Sequence, residues 1–312
     1  MSENKKYIYS IVGPTASGKT EIGVALALRL GNAEIINCDS VQIYEEIQIA
    51  TAKPGAEEKR GVPHHLIDYV APEINYTAAD WTQDAARKIV EIEARNNIPI
   101  LVGGSGFYLR ALREPFFESP KTDEKLRAKL VKIKARKGAE HLHKILKRVD
   151  AISAKKLFPR DYVRVMRALE VYFQTGNRIS RIQPIRAEPP DFADRIKIFA
   201  LNPPRKILYE RINRRTEIHF ANGLVEEVKS LRERGLPENT SALGAHGYRR
   251  VCEFLRGERD LESAIERTKQ DVRNYAKRQM SWFRRESGVV WLEGFGDEAK
   301  TRKNLWKMLH LE

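Results

Sequence analysis

Cysteine is scarce in this 312-residue chain: only Cys38 and Cys252 occur, far apart, with neither a C-x-x-C pair nor histidines at metal-ligand spacing. That argues against a disulfide framework and a zinc site, and suits a reducing cytoplasm. No apolar run approaches the roughly 18 residues that a membrane span requires. The opening MSENKK is polar and passes straight into a strand, so the apolar core of a signal peptide is missing too. A cytoplasmic protein without membrane attachment is expected. Acidic residues are also in deficit, 42 Asp and Glu against 56 Lys and Arg, for a net charge of +14. Such an imbalance favours a polyanionic partner, nucleic acid ahead of an anionic membrane surface. A solvated basic coat is the plain alternative. Internal repeats and low-complexity tracts are absent, and the length allows one large α/β domain plus a smaller one.

What is present begins with Ile8 to Thr20. Ile8 to Val12 read as a buried strand, and Gly13-Pro14-Thr15-Ala16-Ser17-Gly18-Lys19-Thr20 fits G-x-x-x-x-G-K-[ST], the phosphate loop. Its glycines let backbone N–H groups turn onto a phosphate, Lys19 adds charge, and the Thr20 hydroxyl is placed for a phosphate-bound Mg²⁺. Glu21 to Leu30 supplies the helix behind it. Ala33 to Cys38 is a second strand ending at Asp39. In an open parallel sheet ligands lie at the carboxyl ends of the strands, so Asp39 should share an edge with the loop; a turn-capping role competes with a chemical one. Ile49 to Pro54 and Val62 to Asp68 look like loops, and His64 and His65, as sequence neighbours, suit hydrogen bonding better than metal binding. Thr77 opens a helix with Asp80 as its capping partner. Ile98 to Val102 is a third strand, delivering Gly103-Gly104-Ser105-Gly106 to the same edge; plain strand-to-helix packing through small residues is the competing explanation.

Composition changes near Phe116. From Lys121 to Arg186 there are 19 Lys and Arg against 6 Asp and Glu, so the positive charge is local. The stretch reads as basic helices, among them Asp161 to Phe173 with Val163, Met166, Leu169, Val171 and Phe173 turned inward or sideways. Arg160, Arg164 and Arg167 share roughly one face. Arg195 to Leu201 returns as a strand, Asp260 to Glu286 is one long helix, and Val289 to Trp291 a final edge strand. The fold class expected is α/β, a P-loop NTPase-like parallel sheet flanked by helices, with core residues 1–116 and 194–312 and a helical basic insertion at 117–193.

A kinase or NTPase needs a second carboxylate for Mg²⁺, commonly at a strand end, but the third strand ends in Gly-Gly. A reaction in which diphosphate departs needs only a cradle for that anion and one base for the nucleophile. Here the sequence resembles the bacterial-type tRNA dimethylallyltransferase family. The resemblance is carried by GPTASGKT (13–20), CDSVQIY (38–44), ATAKP (50–54), PHHLID (63–68), VGGSGFYL (102–109), RALEVY (167–172), Gly247 to Arg249 and AKRQMSWFR (276–284). These eight ordered blocks span about nine-tenths of the chain, which makes the signal far more specific than a lone phosphate loop.

The resemblance implies transfer of a dimethylallyl group from dimethylallyl diphosphate to N6 of adenosine 37 in tRNAs reading codons that begin with U. The phosphate loop, Gly13 to Thr20, and Arg215 would hold the diphosphate with Mg²⁺ at Thr20, matching a nucleotide-binding motif without ATP hydrolysis. Asp39 would take the N6 proton, with Ser105 beside it in place of a family Thr. Asp39, Ser40, Val41, Gln42, Ser105, Arg127, Val163, Arg164, Arg167, Gly244, Gly247, Tyr248 and Arg249 match tRNA-contacting positions, and a monomer is expected. Departures occur: Phe158-Pro159-Arg160-Asp161 stands for His-Pro-Asn-Asp, Val163 for a Gln, and Val272-Arg273-Asn274 for Thr-Arg-Gln. Two alternatives stay open, a prenyltransferase acting on free adenine nucleotides and a non-catalytic RNA-binding protein with a relic phosphate loop.

Overall fold

The computed structural model describes residues 7–117, 120–185 and 187–311. Alternation along the strands builds its sheet. Side chains of a strand point alternately to opposite faces, and here both faces are apolar. Ile8 and Val12, Ile36, Leu101, Ile198 and Ala200 face one buried cluster, whereas Ile11, Ile35, Ile100, Val102, Phe199 and Leu201 face another. A sheet covered on both sides in this way is the usual setting for parallel strands.

The strands are β1 (Ile8–Val12), β2 (Ala33–Asn37), β3 (His64–His65), β4 (Ile98–Gly103), β5 (Ile196–Asn202) and β6 (Val289–Glu293). Their order is β3-β2-β4-β1-β5-β6, and every neighbouring pair is parallel. From β1 the chain passes outward beyond β4 to β2, and from β4 it passes the other way, beyond β1, to β5. The loops that leave β1 and β4 therefore diverge, which opens a crevice at the carboxyl edge of the sheet.

The helices of six or more residues are α1 (Lys19–Leu30), α2 (Ala78–Ala94), α3 (Gly106–Arg113), α4 (Glu124–Lys137), α5 (Ala139–Val149), α6 (Ala151–Lys156), α7 (Tyr162–Thr175), α8 (Arg205–Ala221), α9 (Leu224–Glu233), α10 (Tyr248–Leu255), α11 (Leu261–Phe283) and α12 (Ala299–Met308). Helices α1 and α12 pack on one face of the sheet; α2, α3 and α9 pack on the other. The expected capping box of α2 is formed, with Asp80 N donating to Thr77 Oγ1 and Thr77 N to Asp80 Oδ2. Among the described residues no helix is long and apolar enough to cross a membrane.

Two compact units divide the chain, Met1–Arg113 with Pro190–Glu312, and Glu114–Pro189. The breaks fall where α3 ends and at Pro189-Pro190, a few residues before the positions suggested by composition. The smaller unit is helical, with its own core of Leu130, Leu142, Leu146, Val165, Met166 and Leu169.

Two local expectations need correction. His64 and His65 form a short edge strand on β2 rather than a loop. His65 Nε2 lies 2.6 Å from the buried Glu34, which Arg95 and Asn97 also bind. On α7, Val163 and Phe173 are exposed, not turned inward, because the buried stripe runs through Val165, Met166, Ala168, Leu169 and Val171. That stripe also contains Glu170, whose carboxylate is fully buried.

Candidate active site

The phosphate loop is shaped by two glycines in backbone conformations that disfavour a side chain. Gly13 has φ +146° and packs its backbone on Leu201 of β5; Gly18, at φ +82°, precedes α1. A Cβ on Gly18 would lie 2.8 Å from the Asp297 backbone nitrogen, and Gly296 N donates to Ser17 O at 2.8 Å. The β6–α12 connection thus backs the loop, held there by the Arg211 pair with Asp297 at 2.8 Å and by the Arg211 guanidinium over the Phe295 ring. Lys19 Nζ donates to Pro14 O at 2.8 Å, curling the ammonium over the loop. Burial pulls its pKa down to about 8, Asp39 opposing and Arg215 adding to the pull. Arg215, from α8, donates to Thr15 Oγ1. Burial lowers its pKa as well, again opposed by Asp39. Lys19, Thr20, Arg215 and Asp39 line one cavity of about 580 Å³. Asp39 and Lys19 therefore open on the same edge of the sheet.

Asp39 serves as a cap and faces this cavity too. Its Oδ1 accepts from Val41 N at 2.9 Å and Gln42 N at 3.4 Å, which fixes the carboxylate; no hydrogen bond to Oδ2 occurs among the described residues. The Gly103–Gly106 turn comes up against it. A Cβ on Gly103 would sit 1.9 Å from Cys38 O, so β4 approaches the end of β2 this closely only as glycine. Ser105 Oγ accepts from Ser40 N at 3.0 Å, and Ser105 N donates to Cys38 O at 3.1 Å. Behind both loops lies Gln279 of α11, bonded to Thr15 N and Gly104 O.

A second cavity, of about 480 Å³, is walled by Val41, Tyr44, Tyr76, Tyr108, His246 and Tyr275. Thr15, Asp39, Thr51 and Arg215 line both cavities. One chamber is thus rich in backbone N–H groups and cations, the other in aromatic rings, and the carboxylate stands where they meet. Burial and the nearby Arg215 bring His219 down to about 4, and burial also lowers His246, so both rings in this chamber are neutral at pH 7.

Among the described residues no group of three or more His, Cys, Asp or Glu forms a metal cage. Mg²⁺ bound through phosphate oxygens keeps several waters and needs only one or two protein groups. Of the carboxylates on the phosphate cavity, Glu21 pairs with Arg60, Asp297 pairs with Arg211 and Glu58 accepts from Gly55 N at 2.9 Å, leaving Asp39 and the Thr20 hydroxyl as a donor set that fits such an ion.

A family model described as IPP transferase matches residues 42–286. The chain belongs to the IPP transferase family. It is 44% identical over 294 residues to a tRNA dimethylallyltransferase of Geobacter metallireducens, covering 93% of this chain and 94% of that one. A Koribacter versatilis protein of the same name is 42% identical, covering 94% of each. Among solved structures, the full-length tRNA isopentenylpyrophosphate transferase of Bacillus halodurans is 36% identical with a TM-score of 0.72, over 98% of this chain and 96% of that one. A eukaryotic dimethylallyltransferase acting on tRNA gives a TM-score of 0.77 at 26% identity, over 98% and 80%. The P-loop NTPase-like fold expected of the family is the fold found.

The residues matched to tRNA contacts in this IPP transferase family member divide by environment. Arg164 has a side chain 74% exposed and paired with Asp161 at 3.1 Å, Val163 is 61% exposed, and Arg249 also points outward. Arg127 and Arg167 instead turn inward onto Glu170, at 2.7 and 3.5 Å. Tyr248 has no exposed surface; its hydroxyl donates to Glu227 at 3.2 Å and accepts from Ala50 N at 3.3 Å. Its side chain holds the ATAKP segment rather than facing solvent. Gln42 likewise spends its amide on Thr51 O and Ala52 O. Gly244 lines the aromatic chamber, and Gly247, at φ +93°, leads into α10. Sequence reading did not single out Gln279, Tyr275 or His246, although a glutamine on the apolar stripe of a long helix was a signal available for the first.

Proposed function

We propose that this chain transfers the dimethylallyl group of dimethylallyl diphosphate to N6 of adenosine 37 in tRNAs reading codons that begin with U, releasing diphosphate. The observation that carries the reading is Asp39 at the junction of an anion-binding chamber and an aromatic one. The family and the names of its relatives support it.

The diphosphate lies in the phosphate loop, held by backbone N–H groups of residues 16–20, by Lys19 and by Arg215. Mg²⁺ at the Thr20 hydroxyl, when bound, neutralises charge on the phosphate oxygens. The adenine leaves its stack and enters the aromatic chamber, as enzymes acting on a base require. Its N6 lone pair is delocalised into the purine and is a poor nucleophile unaided. As that nitrogen bonds to C1 of the allyl group, the C1–O bond breaks, its electron pair leaves with the diphosphate, and the N6 proton passes to Asp39. Asp39 is oriented for this by the Val41 and Gln42 amides, and Ser105 by Ser40. The cationic cradle favours the departing anion more than the bound ester, which is what accelerates the step. Basic residues of 114–189, Arg164 among them, grip the anticodon stem through its phosphates and shape.

Asp39→Ala should lower turnover by about 10² to 10⁴, the range for losing a general base, while an anticodon stem-loop still binds. Full activity in that variant would remove Asp39 from the mechanism. Parallel incubation with AMP separates the free-nucleotide alternative: prenyl-AMP as the preferred product would replace tRNA as the substrate. Failure to transfer label from the allylic diphosphate to any acceptor would leave a binding protein.

A further inference from the structure

Gln279 interrupts an apolar stripe. On α11 the side chains of Ala276, Gln279 and Phe283 are buried at spacings of three and four, and Gln279 is 5% exposed. A carboxamide at that depth is costly unless both of its ends are bonded. Both are: Oε1 accepts from Thr15 N at 2.8 Å and Nε2 donates to Gly104 O at 3.0 Å. Thr15 belongs to the phosphate loop, Gly104 to the turn carrying Ser105. The second end fits closely, since a Cβ on Gly104 would lie 2.1 Å from Gln279 Nε2. From Gly104 the linkage runs on through Ser105 to Ser40 N and Cys38 O, on either side of Asp39.

We propose that Gln279 is a positioning residue that fixes the phosphate loop against the Ser105 turn, and so sets the placement of a bound diphosphate relative to Asp39. The inference rests on the transferase reading above, and Gln279 is not among the residues that line either cavity. Within the sheet, β1 and β4 are held by backbone pairing. Past the sheet edge, no backbone hydrogen bond among the described residues joins their loops. A carboxamide presents an acceptor and a donor side by side without net charge, so one side chain ties both backbones. The tie matters because the allyl carbon is placed from one loop and the amine from the other. A misplacement of about 1 Å at such a site costs about a hundredfold in rate.

The chemistry of the tie supplies its own test. In Gln279→Glu the ionised carboxylate still accepts from Thr15 N but turns a negative oxygen toward Gly104 O. Once protonated, the acid has one O–H donor and one acceptor and restores the glutamine pattern. Burial raises the pKa of such a carboxyl above the ordinary value of about 4.3. Full-length parent, Q279E, Q279A and G104A would be assayed with dimethylallyl diphosphate and an anticodon stem-loop between about pH 8 and pH 5.5. Inorganic pyrophosphate affinity with Mg²⁺ would be measured alongside. Activities are taken as ratios to the parent, which cancels the titration of Asp39 and Lys19.

At the alkaline end kcat/KM of Q279E should fall by about a hundredfold, recovering as the pH drops, with pyrophosphate affinity following the same course. Q279A and G104A should lose a comparable amount without recovery, and the double variant should be no worse than either, because each removes the same link. RNA affinity stays at the parent value throughout. A Q279E deficit that is flat with pH overturns the proposal, as does kcat/KM within about twofold of the parent in Q279E and G104A. If the parent transfers nothing to RNA, the transferase reading fails, and the pH course of pyrophosphate affinity in Q279E still decides the clamp.

Discussion

Burial within the phosphate loop pulls Lys19 from 10.5 to about 8, so between those values the unfolded chain holds a proton that the folded chain has shed. In that window the stability of the unliganded protein rises with pH, and below about pH 8 the full penalty of burying the charge applies. Lys19→Met should therefore stabilise the unliganded protein at pH 7 by about 1 to 3 kcal/mol while abolishing protection by pyrophosphate. Thermal melts with and without pyrophosphate check both halves. In the parent, pyrophosphate should bind less tightly as the pH rises through about 8, and the variant should lack that dependence. The residue identities in this loop were legible in the sequence, as was the strand-end position of Asp39. What sequence could not give was the division of labour within one carboxylate, capping through Oδ1 while facing two cavities. Nor could it separate Arg127 from Arg164. Whether an arginine faces in or out was decided by Glu170, 43 residues beyond Arg127.

Helix α7 shows how one buried acid organises an element. Glu170 has no exposed side-chain surface and is met by Arg127 from α4 and by Arg167 one turn away. Arg127→Ala leaves that carboxylate with a single cation and should destabilise the helical unit by about 2 kcal/mol, somewhat less than the loss of a whole partner from a buried pair. Its effect on RNA binding should follow the loss of folded protein. Arg164→Ala should leave the melting temperature unchanged and reduce the salt dependence of stem-loop binding by about one unit of slope. The long elements were readable because their periods are strong: the capping box of α2, the 23-residue α11 and the apolar strands all lie close to where the pattern puts them. His64–His65 was not readable. Two residues are too few to display alternation, and their pairing depends on β2, almost thirty positions earlier.

At the scale of the whole molecule, parallel strands were expected from the apolar runs, but their order was not. Nothing local states that β5 lies beside β1 while β2 lies beyond β4, and that order is what opens the crevice. The charge, in contrast, was legible from counting: residues 114–189 hold 19 Lys and Arg against 9 Asp and Glu. Stem-loop affinity should therefore fall steeply with salt, with a log–log slope of about −3 for some four phosphate contacts; a slope near zero would take RNA away from this unit.

The phosphate loop comes early in the chain, yet Gly18 rests on residues 296 and 297 and Thr15 N is bonded by residue 279. During translation the motif leaves the ribosome long before the parts that seat it. A nascent polypeptide would thus stay blind to its allylic substrate until synthesis is nearly finished, and stalled chains lacking residues beyond 278 should pass through a pyrophosphate resin unretained.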